Sequence, residues 1–368
     1  MRVEIVSWGD AVTRFGERWS ELVRSSNLNA SLDHRWQSAV VRSHALEERT
    51  QVAIAFDSDT VTAILPFVRQ PIRLLGFSIP TIDALSNFVS YHPELIASNN
   101  VANALKSFLE RLLNGSWQLF RMDNVPIGSP TELALVALGN RDGRLINVSA
   151  GESSPYIRIE ASWDDYLKSQ SKKFRANLTR CARRVTGMGD AKMVWFGASG
   201  DADRLLQDII QVEKRSWKEN TGTSISSRPS ELDYYKELLP ALAQNGTLLA
   251  NVLYIDNTPA AYSLCCNNDG WIGQLKTSFD RSLADAGAYT IAESVRRAFD
   301  LQAHEYDFLG DVAPHKLKWT NNVRAHAGHW IFSNNLIVKN LWRARQHLAR
   351  FKRRVRFTTD SQGEADGS

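Results

Sequence analysis

Four side chains in the second half of this 368-residue chain could take or hold a proton during a reaction: Glu213, Asp307, Asp311 and His315. Asp311 follows Gly310 just beyond an extended run, Glu305-Tyr-Asp-Phe-Leu309, and so belongs at a loop mouth, where catalytic groups are often carried. Its plain alternative is a turn acid or helix cap. Glu213 sits mid-helix beside Lys214, where an acid is ordinarily a solvated salt-bridge partner. His315 can titrate near neutral pH, although a lone His is more often structural. Tyr289 and Tyr306 are candidate proton donors to a leaving group, or else core aromatics with the hydroxyl at the rim. Trp217, Lys218, Lys316 and Trp319 suit an acceptor site, the Trp faces for a sugar ring and the Lys for an anion; packing and solvation are the simpler uses.

The elements that would position these groups follow from hydrophobic periodicity. Thr247 to Ile255 is apolar and β-branched and stops at the turn Asp256-Asn-Thr-Pro259. Ala260 to Cys266 makes a second strand that ends at Asn267-Asn-Asp-Gly270, and Trp271 to Thr277 makes a third. After a polar loop, Ser278 to Ala286, Gly287 opens a helix with Ile291, Val295 and Ala298-Phe299 on one face. A strand leading through a small-residue loop into a helix leaves unpaired N–H groups at which an anion such as a pyrophosphate can bind. Many such junctions carry a Gly only to turn the chain.

Length suits two domains of ordinary size, and 43% hydrophobic residues with 11 Trp can fill two cores. The chain shows no run of about 18 apolar residues. With no secretory leader visible either, a cytoplasmic protein is expected. Three Cys are too few for a disulfide framework, and Cys265 and Cys266 alternate faces of one strand as packed thiols. The net charge of +4 is unevenly spread: no acid lies between Asp165 and Asp190 or between Asp311 and Asp360, and both intervals are rich in Lys and Arg. Solvated faces, an anionic membrane surface and RNA are the three readings of these basic stretches, RNA lacking any recognisable motif.

The first half repeats the order hairpin, loop, helix, strand. Thr50 to Phe56 and Thr60 to Val68 flank Asp57-Ser-Asp59, then Val101 to Leu113 is helical and Trp117 to Met122 extended. Two structurally related lobes are expected, residues 1–150 and 151–335, with the seam at Ser149-Ala-Gly-Glu-Ser-Ser-Pro155. Tyr156 to Glu160 is a strand, and Ser162 caps a helix that continues through the basic interval. Lys192 to Phe196 is a strand, and helices cover Asp203 to Glu219 and Ser230 to Gln244. Residues 336–359 form a basic amphipathic helix with the stripe Ile337, Leu341, Ala344, Leu348, Phe351 and Val355; residues 360–368 are a disordered tail.

Trp163-Asp-Asp-Tyr-Leu167 with its basic helix, Glu213-Lys-Arg-Ser-Trp-Lys218, Tyr306-Asp-Phe-Leu-Gly-Asp311 and His315-Lys-Leu-Lys-Trp319 occur in this order. Ala63-Ile-Leu-Pro-Phe67 echoes the pattern in the first half. In this the chain resembles the GNAT-type acyltransferase domain of bacterial proteins associated with cellulose or exopolysaccharide synthesis, a group similar in architecture to the Fem-type peptidoglycan aminoacyl transferases. The resemblance implies an α/β protein of two tandem GNAT-like lobes, each a mixed central sheet flanked by helices. It implies an acyl-CoA donor, acetyl-CoA first, with no metal, and an amine acceptor such as an amino sugar or glycan precursor.

By the same resemblance Gln274, Leu275 and Lys276 would meet the acyl and pantetheine groups. Gly287 and Ala288 would meet the pyrophosphate, with Arg281 as the cation. Asp311, Glu213 and Tyr289 are then the catalytic candidates, and Trp217, Lys218, His315, Lys316 and Trp319 the acceptor candidates. The chain departs from the family in offering only Ala286-Gly287 where many members have several glycines and a basic residue. A non-catalytic acyl-CoA or glycan scaffold and an aminoacyl-tRNA-dependent transferase are the alternatives. A hydrolase lacks its G-x-S-x-G elbow and H-E-x-x-H here.

Overall fold

The computed structural model describes residues 1–89, 91–113, 117–141, 145–197 and 201–347. The chain forms two mixed α/β lobes, each a sheet flanked by helices, but the lobes are not contiguous halves. Residues 1–28, 48–151 and 327 onward make one unit, and residues 29–47 and 152–326 the other. The expected seam is part of a strand, Ile146–Arg158, whose backbone stays extended through its small polar residues.

In the first unit Arg2–Ser7, Thr50–Asp57, Thr60–Leu74 and Phe77–Ala84 pair antiparallel in that order. Phe77–Ala84 then pairs parallel with Leu119–Pro126, through Thr81↔Leu119, Ile82↔Phe120 and Asp83↔Arg121. Helix Val101–Leu112 presents Ala104, Leu105, Phe108 and Leu109 at helical spacing and buries them with Phe67, Phe120 and Leu135.

The second unit has the strand order Tyr156 to Arg158 at the end of Ile146–Arg158, then Glu305–Asp307, Trp271–Phe279, Thr258–Asn268, Leu248–Ile255, Ala191–Phe196. All its neighbours are antiparallel except the pair Glu305–Asp307 and Trp271–Phe279. Every residue of Leu248–Ile255 is buried, as a strand covered on both faces must be. Helix Ala284–Asp300, backed by Lys172–Thr186, covers one face; Ala202–Lys214 and Pro229–Gln244 cover the other, with His34–Ser43 packed on the latter.

Several element boundaries differ from the sequence expectation, each for a local reason. The helix after Ser162 stops at Ser169, and a new one, Lys172–Thr186, starts where Ser171 Oγ accepts the Phe174 N–H at 3.1 Å. The span Asp203 to Glu219 is likewise two helices, Ala202–Lys214 and Trp217–Asn220, because Ser216 Oγ caps the second through the Lys218 N–H. The polar loop is only 280–283: Ser278 and Phe279 still pair with Tyr262 and Ala261, and Asp280 closes the turn by accepting from Ser282. Helix Ala284–Asp300 therefore begins three residues before Gly287. The terminal helix is described over 336–347, where Asn335 Oδ1 caps it through the Ile337 N–H at 2.9 Å. Leu348, Phe351, Val355 and the tail lie outside the described residues.

Candidate functional site

In the second unit the parallel pairing is short: Trp271↔Glu305, Ile272↔Tyr306 and Gly273↔Asp307. Beyond it Glu305–Asp307 ends while Trp271–Phe279 runs on for six residues, paired among the described residues only with Thr258–Asn268. Where the pairing ends the long strand also bulges: Cys265 faces Gln274 and Leu264 faces Lys276, so Leu275 is the extra residue. Bulges re-aim backbone groups and are over-represented beside active sites. The stretch Gln274 to Thr277 thus has an edge on which a second extended molecule can hydrogen-bond.

That strand leads directly to the N-terminus of helix Ala284–Asp300, which has no side-chain cap. Gly287 is buried in its first turn, and a Cβ there would lie 2.3 Å from the Phe279 ring. Close helix–strand packing accounts for this glycine without any phosphate. Gly287→Ala should consequently cost about 1–3 kcal/mol by overpacking, measured as the fall in denaturation midpoint. Ala288 is half-buried, and Arg281 is exposed with its backbone N–H on Arg215 O. The first turn also holds Asp285, whose carboxyl is kept below the usual range by Arg184 at 3.0 Å, with Cys181 Sγ at 3.3 Å also on it. Two arginines, 184 and 180, answer that one acid.

On the sheet face toward Ala202–Lys214 lies a buried group of charges. Glu213 has no solvent exposure and is fully committed: Oε1 accepts from Lys218 Nζ at 2.8 Å and Tyr262 Oη at 2.6 Å, and Oε2 from the Ile225 N–H at 2.7 Å. It is not a solvated helix acid. Lys218 Nζ also donates to Thr277 O at 2.8 Å, tying the turn after the helix to the bulged strand. Arg215 makes a second tie, to Asp280 at 2.7 Å. Lys276 bonds Glu231 at 2.5 Å and lies 3.8 Å from Glu213. Burial pushes the Lys218 ammonium down to about 8 against the pull of Glu213, and burial with the Glu213 charge drives the Tyr262 phenol up.

The opposite face is polar but neutral. Gln274 Nε2 donates to Ser263 Oγ at 3.1 Å, and Ser263, Cys265, Ser294 and Tyr306 form one hydrogen-bonded set under helix Ala284–Asp300. Tyr306 is wholly enclosed there. Tyr289 is half-buried against Val185 and Ala286, and burial raises its phenol.

The chain leaving Glu305–Asp307 carries the remaining candidates. Asp307 is buried and structural, bonded to Arg324 at 2.6 Å, which also holds Glu305 at 2.7 Å. Gly310 takes a left-handed φ of 56° and turns the chain to Asp311, whose side chain is exposed. Lys316 shapes this loop by donating to Leu309 O and Asp311 O at 2.5 and 3.0 Å. Partial burial, then Lys316 and Lys318, keep His315 below its usual value. Trp319 is buried edge-on to Phe174, so its ring belongs to the core and offers no open face to a ligand, whereas Trp217 is 52% exposed.

Thus Glu213, Lys218 and Lys276 meet; Gln274 turns to the other face; Asp311, His315 and Lys316 share a loop. Sequence reasoning missed Tyr262, Glu231 and Arg215. Tyr262 was signalled only by period-two alternation with Leu264, and the other two read as ordinary surface charges. A cavity of about 600 Å³ between Trp163, Phe299 and Arg296 opens at the C-terminal end of helix Ala284–Asp300, away from its N-terminus.

The first unit has a matching point where its parallel pair ends, at Asp83↔Arg121. There Asn87 fills the edge: its Oδ1 accepts the Asp123 N–H at 2.7 Å and its Nδ2 donates to Arg121 O at 3.1 Å, a side-chain copy of a strand ladder.

Residues 172–317 match the family model described as acetyltransferase (GNAT) domain. No curated protein matches the sequence. Among solved structures, FemX is similar with a TM-score of 0.63 and 12% identity, over 93% of this chain and 99% of that one. A conserved protein of unknown function from Bacteroides thetaiotaomicron scores 0.60 at 14% identity, over 90% and 99%. L-PGS from Bacillus licheniformis scores 0.53 at 12%, over 88% and 94%. At such identities these show the shared fold.

Proposed function

We propose that the protein is an acyl-CoA-dependent N-acyltransferase whose donor lies along Gln274 to Thr277 of the second unit. The observation that carries this reading is the strand that outruns its parallel neighbour, bulges at Leu275 and feeds an uncapped helix N-terminus, all within the stretch matching the family model. Backbone groups at the bulge would hold the thioester arm, and Arg281 with the uncapped N–H groups that open helix Ala284–Asp300 would face the pyrophosphate, Gly287 and Ala288 lying too far into the helix to do so. Transfer then needs an uncharged amine, an aligned approach to the carbonyl and a proton for the departing thiolate. Asp311 is the proton acceptor from the amine, Tyr289 the candidate donor to the thiolate, and Glu213 the group that fixes Lys218 and the strand. Trp217, His315 and Lys316 flank the acceptor, an amino sugar or glycan precursor.

The test is calorimetric titration with acetyl-CoA and a longer acyl-CoA, with free CoA as control, followed by thiol release in the presence of amino-sugar acceptors. One equivalent of donor per chain is expected, because Asn87 occupies the corresponding edge of the first unit. Two equivalents would contradict that account of Asn87, and no binding would remove the acyl-CoA reading.

A further inference from the structure

Of the basic amphipathic helix expected at 336–359, residues 336–347 are described, and their apolar face is packed. Val338 and Trp342 are buried in an apolar cluster with Leu74, Ile79, Leu119 and Phe332, and Leu341 packs on it. What remains outside is more specific. Leu336 and Ile337, at the start of this helix, are 71% and 70% exposed. Beside Leu74, at the tip of the hairpin Thr60–Leu74 and Phe77–Ala84, Leu75 and Phe77 are 42% and 60% exposed.

The hairpin tip is costly as built. Leu75 and Gly76 both have positive φ, 50° and 87°, in a two-residue turn that favours Asn-Gly. A Leu held there is strained and remains 42% exposed. A Cβ on Gly76 would meet nothing within 4 Å, so the turn faces open space. The charge of the two segments that carry these side chains has one sign. No Asp or Glu occurs from 60 to 82 or from 327 to 347, while Arg73, Arg343 and Arg345 are exposed in those segments.

We infer that the Leu75–Phe77 tip and the Leu336–Ile337 helix start, joined through one apolar cluster, form an anchor for an anionic lipid surface. Exposed apolar side chains on segments that carry arginines and no acids match the boundary between headgroups and acyl chains, where burial and attraction to anionic lipid add together.

The experiment is co-sedimentation of the full chain with phosphatidylcholine vesicles, with or without a third phosphatidylglycerol. The expected result is binding that requires the anionic lipid and weakens roughly tenfold in Phe77→Ser and again in Leu336→Ser/Ile337→Ser, with denaturation midpoints unchanged. No vesicle binding by the wild type would overturn the inference. So would full binding by the serine variants, which would assign adhesion to the basic sequence alone. A dimer on light scattering that the same serines abolish, without vesicle binding, would give the patch to a second copy of this chain instead.

Discussion

Glu213→Ala is expected to lower stability by about 3–5 kcal/mol, because it leaves the Lys218 ammonium buried without its anion and the Tyr262 hydroxyl and Ile225 N–H without their acceptor. Chemical denaturation of the purified variant measures this directly. The double variant Glu213→Leu/Lys218→Met should recover the part due to the unpaired ammonium, since an apolar pair can replace a buried ion pair, and leave the part due to Tyr262 and Ile225. If Glu213→Ala unfolds like the wild type, Glu213 is no structural hub.

The pH dependence of the pair has a definite sign. The ordinary Lys value of 10.5 falls to about 8 for Lys218 in the folded protein, so between those values the unfolded chain binds the proton better. Stability from this group therefore rises with pH between about 8 and 10.5, and its cost is fully present below 8. Wild type measured against Lys218→Met should gain on the order of 2–3 kcal/mol from pH 8 to 10. A flat difference would mean that Lys218 keeps a normal value.

Asp311→Asn is expected to lower turnover at least about 100-fold while acyl-CoA affinity stays at the wild-type level, the signature of a lost general base. Asp311 is exposed and the backbone, not its carboxylate, makes the contact with Lys316, so the substitution should not disturb the loop. Asp307→Asn is the contrast: that carboxylate is buried on Arg324, and its loss should appear as lower stability. Unchanged turnover in Asp311→Asn would take this residue out of the mechanism.

How far the sequence revealed this arrangement depends on how local the information was. The hairpin from Leu248 to Asn268 and the strand after it followed from apolar runs broken by Asp-Asn and Asp-Gly turns. The helix breaks at Gln170 and Arg215 were harder, because Ser171 and Ser216 interrupt patterns whose periodicity carries on through them. The exposure of Glu213 was misread for a different reason. Its burial depends on Lys218, Tyr262 and Ile225, up to 49 positions away, and no spacing rule connects them. Gly287 was legible as a special residue but not as a packing one, since its neighbour Phe279 stands across a turn from it. The assignment of 29–47 to the second unit left no sequence trace, because Trp36 meets Tyr234 through tertiary packing alone.

That last assignment governs the order in which the chain can be completed. Helix His34–Ser43 emerges early but finds its partner only when Pro229–Gln244 has been made; Trp36 Nε1 then donates to Tyr234 Oη at 2.8 Å and Arg42 reaches Glu237 at 2.6 Å. The first unit, for its part, waits for Ile331 and Phe332, which sit in its cores and follow the last residue of the second unit. A fragment ending at residue 150 would hold the orphaned helix and lack both of those residues, so it should aggregate rather than fold. On the ribosome the portion synthesised first is the portion finished last, and its unpaired edges must be shielded until residue 332 is out.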